Sequence, residues 1–438
     1  MKRSPVALGI AAVLAAFTLT ALVSCRRQES SESTNALVVW HWMSDREDAF
    51  KELSDRYKTA TGQEVRFDLY APSVAYMQKV RASAQTETLP DIFGVLEESE
   101  SLASFVKAGH LYNLSPDLDA DHGAWKNRFY VKALETSEFK PGNRFNAPPG
   151  VYGIPIDITT IQFLYNKSLF KKAGLDPEKP PQTWDEFIAD GKKLAALGMP
   201  ALVSGWGEIW MIDCLASNLA FNIMGEKKVM ATFKGDVPYT DPDWVRVFSL
   251  FDELGKSKIL SVDIVTMVNK SAEQLFANER AAMAFNGSWS VNVYNDMNPN
   301  LDYGVFPTPK VVTSHPAVIW GAAGSSFMVN AQSPRAAAAV KFLKWLTEKP
   351  QQEFLAHATR NLPAVKGAVG DNSPVLAKFA DGMEISVHPS RYPVNEAPVI
   401  IERFDKAIQS ILIGEETPQQ AAEDIEAAKK EETAKPAE

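Results

Sequence analysis

Cysteine is almost missing from this chain. Two occur in 438 residues, Cys25 and Cys214, which excludes a disulfide scaffold. Six histidines are scattered without a pair at metal-ligand spacing, so no zinc site is expected. Basic residues are outnumbered, 45 against 54 acidic, for a net charge of −9. That balance lacks the footprint of a nucleic-acid binder. Gly-x-Ser-x-Gly, the Walker A loop and the dinucleotide fingerprint are all absent, and no cofactor is expected. There is no internal repeat. Against these absences the chain is 45% hydrophobic, 10% aromatic and 23% charged. This is the composition of an ordinary globular protein, with length enough for about two to three domains.

One apolar run is long. Lys2 and Arg3 precede a nearly continuous stretch from Val6 to Val23, the n-region and h-region of an export signal over residues 1–24. Its length leaves a retained membrane anchor as the alternative. Leu22-Val23-Ser24-Cys25 resembles the lipobox of bacterial lipoproteins, which implies acylation at Cys25. Residues 25–35 include Glu29-Ser30-Ser31-Glu32-Ser33-Thr34, have nothing to bury, and read as a flexible tether. Cys214 then has no partner within the body and reads as a buried small hydrophobe.

The body reads as α/β. Leu37–Trp40 is a buried strand. Ser44-Asp45-Arg46-Glu47 has the capping-box pattern, with Phe50, Leu53 and Tyr57 on one face behind it and Gly62 as the stop. Val65, Phe67 and Leu69 alternate as a second strand, so residues 37–70 make a βαβ unit. Asp91–Val95 is a further strand, followed by a helix carrying Leu102, Phe105 and Val106. The Pro- and Gly-rich segment 139–153 marks a boundary between lobes. Later strands fall at 163–165, 283–285 and 326–329. Thr183-Trp184-Asp185-Glu186 opens a helix that ends near Gly198, and Trp184 is core. Ser333-Pro334 opens another helix, lined by Val340, Leu343 and Leu346, with Pro350 beyond its end. Thr417-Pro418-Gln419-Gln420 caps the last, and residues 429–438 read as a frayed tail.

The ten tryptophans are the most telling feature, because several stand in loops. Trp42 follows the first strand, with Trp40 and His41 just before it reading as structural. Trp206 and Trp210 flank Gly207. Trp289 follows Asn286-Gly287-Ser288, and Trp320 precedes Gly321. Flat apolar rings suit the C–H faces of sugars, and polar neighbours suit the hydroxyls; core packing is the alternative for each. Glu97-Glu98, with Asp157, offers a carboxylate pair of the kind that cleaves glycosides. Paired acids are common in an acidic chain, so Glu97-Glu98 reads instead as a solvated helix start or a ligand contact at a strand end.

Four segments in order carry a family resemblance. They are Gly153-Ile154-Pro155 with 163–175 and 181–187; residues 276–289; residues 336–346 with 351–363; and residues 411–422. Together the chain from Leu37 to about Lys430 resembles the bacterial extracellular solute-binding proteins of the sugar-binding type, relatives of maltose-binding protein that serve ABC importers. Gln162 and Arg360 depart from that pattern, standing where a small residue and glycine are frequent. The resemblance implies two α/β lobes of the periplasmic-binding-protein kind joined by hinge strands near 155–161 and 318–323. Lobe I would be residues 36–155 and 320–345; lobe II would be 156–319 and 346–428. A cleft between them would be lined by Trp42, Glu97, Glu98, Asp157, Trp206, Trp210, Trp289 and Trp320. Gly321-Ala322-Ala323-Gly324 would serve close approach or hinge bending, with a plain turn as the alternative. Arg391 would reach in from a late loop unless it is simply exposed. The implied function is a monomeric, lipid-anchored carbohydrate receptor that partners ABC permease subunits and does no chemistry. A polyol or glycerol phosphate ester receptor, and less directly a glycoside hydrolase, are the alternatives.

Overall fold

The computed structural model describes residues 35–434 except 72, 97–98, 144, 209, 370–373 and 388–395. The export signal, Cys25, Glu97, Glu98 and Arg391 lie outside the described residues. Within them the strands are β1 (Leu37–His41), β2 (Val65–Leu69), β3 (Ile92–Phe93), β4 (Glu138–Phe139), β5 (Gly150–Val151), β6 (Ile154–Asn166), β7 (Leu202–Ser204), β8 (Met283–Gly287), β9 (Tyr303–Phe306), β10 (Ile319–Val329), β11 (Leu362–Pro363) and β12 (Ser386–Val387). β4 and β5 pair as a small hairpin, and the rest form one sheet with the path β2-β1-β3-β10-β6-β8-β7.

The expected βαβ unit is present. β1 and β2 are parallel, from Leu37 opposite Val65 to His41 opposite Leu69. The helix Glu47–Thr61 between them buries Phe50, Leu53 and Tyr57 and ends at Gly62, whose φ of 76° suits glycine. The capping box at Ser44 does not form. Residues 44–46 make a single tight turn without a side-chain cap, and Arg46 turns inward to a buried ion pair with Asp157. Thr183 and Thr417 do form complete boxes, with Glu186 and Gln420. Ser333 does not cap a helix directly. Its hydroxyl donates to Asp91, and the helix begins at Ala336 and runs to Leu346. Pro350 stands in the first turn of a following helix, Lys349–Thr359, as well as beyond the end of this one.

β6 and β10 organise the molecule. β6 is buried along nearly all of its 13 residues, as a strand covered on both faces must be. β10 runs antiparallel to it, from Trp320 opposite Ile161 to Phe327 opposite Ile154. The far end of β10 pairs with β3, whereas the far end of β6 pairs with β8 and β9. Both strands therefore pass from one half of the sheet to the other. The register slips between Ala323 and Ser326, beside Pro155, which has no N–H to give to the ladder. The 321–324 segment is strand, not turn. A β-carbon at Gly321 would lie 2.9 Å from Thr160, and one at Gly324 would lie 2.7 Å from Thr159, so close approach excludes larger residues.

The expected return to the second lobe at residue 346 does not occur. Helix Lys349–Thr359 packs on helix Glu47–Thr61, with the Arg56 guanidinium 3.9 Å above the Phe354 ring. Residues 364–366 then bond to 128–130 of the first half. The late helices Pro398–Ile413 and Pro418–Thr433 pack on helix Pro242–Ser257 of the second half. The last of these does not fray at 429. Lys429 is buried, pairs with Glu396, and donates to the Thr232 carbonyl at 2.6 Å. Among the described residues no helix is long and apolar enough to cross a membrane.

Candidate functional site

Strand direction locates the site. β1 and β3 are parallel, and β3 runs antiparallel to β10, so their carboxyl ends point toward the middle of the β6–β10 pair. β7 and β8 are parallel to each other, and β8 is antiparallel to β6, so their carboxyl ends point back toward the same place. Carboxyl ends of strands from both halves thus converge on one crossing, the position where α/β sheets hold ligands.

Trp42 leaves the end of β1. Its ring is half-buried, lies 5.2 Å from that of Tyr76, and covers Gly94, where a β-carbon would meet it at 2.3 Å. Trp40 and His41 beside it are buried, His41 edge-on to Phe50 and Phe67. On the other side Trp289 leaves the end of β8. A β-carbon at Gly287 would sit 1.9 Å from the Trp289 ring, so the ring lies flat over that strand end. Gly287, Ile161 and Trp320 are directly opposed across β8, β6 and β10 and project to one face of the sheet. Trp289 and half-buried Trp320 therefore share that face.

Trp206 and Trp210 separate. Gly205 and Gly207 lie flush against 266–269, with β-carbons there reaching backbone atoms at 2.6 Å. This close packing turns Trp206 into the core, fully buried and edge-on to Phe251. Its indole N–H finds no acceptor among the described residues. Trp210, opening helix Trp210–Lys234, stays 42% exposed, with its ring 6.0 Å from that of Trp289. Cys214, one turn further on, is buried, and burial pushes its thiol well above the ordinary value.

Asp157 reaches the crossing, but its carboxylate is 4% exposed and taken up by Arg46. The polar residues before Trp289 also turn inward. The Asn286 amide donates to Glu273 and to the Tyr294 hydroxyl, both at 3.2 Å, and its carbonyl accepts from Gly287 N at 2.8 Å. Glu273 was not legible as a site residue, since nothing in its helical segment marks it; it is nonetheless buried. Burial raises its pKa, opposed by the hydrogen bonds it accepts from the side chains of Asn286 and Asn269. Asn269 N in turn donates to Glu208 at 2.8 Å. Gln162 lies on the opposite face from Trp320, buried with its amide toward the Phe379 carbonyl. Arg360 occupies a left-handed position, φ 50°, which explains why glycine is expected there. Its guanidinium bonds Asn292 and Asp296.

A family model for bacterial extracellular solute-binding proteins matches residues 52–380. Among curated proteins, the chain is 22% identical over 375 residues to the multiple sugar-binding protein of Streptococcus mutans, covering 83% of this chain and 84% of that one. It is 26% identical over 284 residues to the sn-glycerol-3-phosphate-binding periplasmic protein of Salmonella typhimurium, covering 61% of this chain and 64% of that one. Among solved structures, the raffinose complex of the binding protein RafE superposes with a TM-score of 0.70 at 20% identity, over 91% of this chain and 100% of that one.

Proposed function

Because this chain belongs to the bacterial extracellular solute-binding proteins, which are binding proteins and not enzymes, we propose that it is the carbohydrate receptor of an ABC importer. A sugar would lie against the Trp210–Trp289 pair, with Trp320 beside it and Trp42 facing from the first half. The observation that carries this is the exposed Trp210 ring set 6.0 Å from Trp289 at the converging strand ends. An aromatic pair with one ring exposed and one half-buried is a platform for the apolar faces of a sugar. The sugar-binding relative and the raffinose-bound neighbour support the same reading.

The β6–β10 pair is the hinge in this proposal. The halves close over the solute and present their joined surface to the permease; ligand drives closure only by binding the closed state better. The mature protein is a monomer held to the outer face of the membrane through Cys25, with residues 26–35 as tether.

The glycerol phosphate relative favours a second reading, a phosphate ester receptor. A phosphate calls for arginine or lysine. Behind the aromatic pair stand Glu208 and Glu273, and Arg46 at the crossing is consumed by Asp157. A neutral sugar fits these charges better.

Thermal shift and calorimetry with raffinose, xylo-oligosaccharides, chitin oligosaccharides and sn-glycerol 3-phosphate test this directly. At least one sugar should bind and raise the melting point, and the phosphate ester should not. Trp289→Ala should then weaken that binding with little loss of stability. Were the ring only core, the substitution would instead cost about 3–5 kcal/mol of stability. Tight binding of the phosphate ester alone would replace the first reading with the second.

A further inference from the structure

Arg360 closes the helix Lys349–Thr359, which packs on the first half. The helix Ser290–Met297 starts beside Trp289 and packs on helix Asn269–Ala277 of the second half. Side chains join the two. Arg360 Nη1 donates to Asp296 Oδ1 at 2.8 Å and to Asn292 Oδ1 at 3.3 Å. With its amide oxygen turned to the guanidinium, Asn295 accepts from Nη1 at 2.7 Å and from Nη2 at 3.2 Å. In return Asn292 Nδ2 donates at 2.9 Å to the Thr359 carbonyl, one of the last carbonyls that a helix leaves without an internal partner. Positions 292, 295 and 296 are i, i+3 and i+4, one face of a helix. That face of the second half thus meets a single arginine of the first. Around the contact lies a cavity of about 1130 Å³, lined by Asn292, Asp296, Phe354, His357 and Arg360. The bonds therefore bridge a gap instead of sealing a packed interface. Arg360 also sits at a φ of 50°, a left-handed conformation that glycine adopts freely and arginine does not. A strained residue persists where its surroundings over-determine it, and the side chains that hold this one belong to the other half.

We propose that Arg360 is a tie between the two halves, setting the angle at which they rest. The proposal rests on the reading of the β6–β10 pair as a hinge. Two residues beyond Arg360, β11 pairs with β6 at 157–158, so the tie acts close to the crossing. Because the tied helix begins beside Trp289, the tie also fixes where that segment stands relative to the first half. The side chains of Arg360 and Asp296 are 43% and 71% exposed. An ion pair so open to water changes a two-state balance by about two- to fivefold, enough to tune closure and too little to prevent it.

Spin labels at Lys51→Cys and Lys192→Cys, exposed positions on one helix of each half, report the distance between the halves by pulsed electron resonance. Cys25 is replaced by alanine for this measurement, and buried Cys214 stays unlabelled. Arg360→Gly should shift the populations of that distance by about two- to fivefold while melting no lower than wild type, since glycine relieves the left-handed strain. Asp296→Asn, which removes only the charge, should shift them the same way. Sodium chloride at 1 M should do so in wild type and much less in either variant. An arginine with a merely structural role would lower the melting point on substitution and leave the distance alone. Where wild type binds raffinose, its affinity should change by the same factor as the population of the ligand-bound distance. Distances unchanged in both variants overturn the assignment, and a raffinose-driven change in wild type then leaves the hinge reading standing. Variant shifts without a raffinose-driven change in a protein that binds the sugar keep the tie and remove closure on that sugar.

Discussion

Asp405→Asn should make this protein more stable at alkaline pH and no less stable at acid pH. Asp405, on helix Pro398–Ile413, is 1% exposed and bonded to the carboxyl of Asp213 on helix Trp210–Lys234. Burial pushes its pKa from 3.8 up to about 7, against the opposing effect of the Asp213 hydrogen bond. Such a group is protonated in the folded protein and ionised in the unfolded chain across the interval from about 4 to 7. Its contribution is therefore complete below pH 4 and is lost as pH rises through about 7. Each pH unit in that interval removes ~1.4 kcal/mol, for a total on the order of 4 kcal/mol as an upper bound. Asparagine stays neutral at every pH, so the variant should lack this slope. Urea melts of both proteins at intervals from pH 4 to 8.5 provide the measurement. The difference between the two curves cancels the other carboxylates. It should be near zero at pH 4, grow with pH, and flatten above about 7. Curves that stay parallel would refute the argument and place the shared proton elsewhere.

Trp206→Ala should cost about 3–5 kcal/mol of stability, seen in denaturant melts, because that ring is core. Removing one partner of the buried Lys429–Glu396 pair, as in Lys429→Met, should cost about 3–5 kcal/mol and raise hydrogen exchange in the helix Pro418–Thr433. Arg46→Ala strips the partner from Asp157 at the crossing. It should destabilise by a similar amount and shift the balance of open and closed forms, read as a changed radius of gyration by small-angle scattering with and without ligand.

Much of the architecture was legible because local and tertiary preferences agreed. The two Thr capping boxes formed, as did the first βαβ unit, and among the described residues the Thr183 and Thr417 hydroxyls bond within their own boxes. The Ser44 box failed where a long-range partner existed: Arg46 found Asp157, more than a hundred residues away, which no local pattern records. The two crossing strands were seen only at their apolar ends. Pro155, Asp157 and Thr159 break the hydrophobic run of β6, and Gly321 and Gly324 imitate a turn in β10, yet burial on both faces and close packing make each a continuous strand. The lobe assignment after residue 346 missed the helix Lys349–Thr359, since an amphipathic helix does not say which neighbour it will cover. Loop position alone did not separate Trp206, driven inward by the flush packing of Gly205 and Gly207, from Trp210, left outside. The burial of Glu273 left no trace in sequence because its partner Asn286 comes from a separate element, β8.

The place of β10 between β3 and β6 bears on the order in which the chain can be made and moved. The first half of the sheet, β2-β1-β3, keeps an unfilled edge until residues 319–329 have been synthesised. Contacts so distant in sequence form slowly. An exported chain has to travel before it folds. Here the strand that completes the amino-terminal half is withheld until three quarters of the polypeptide has emerged, so the delay that translocation needs is written into the strand order itself.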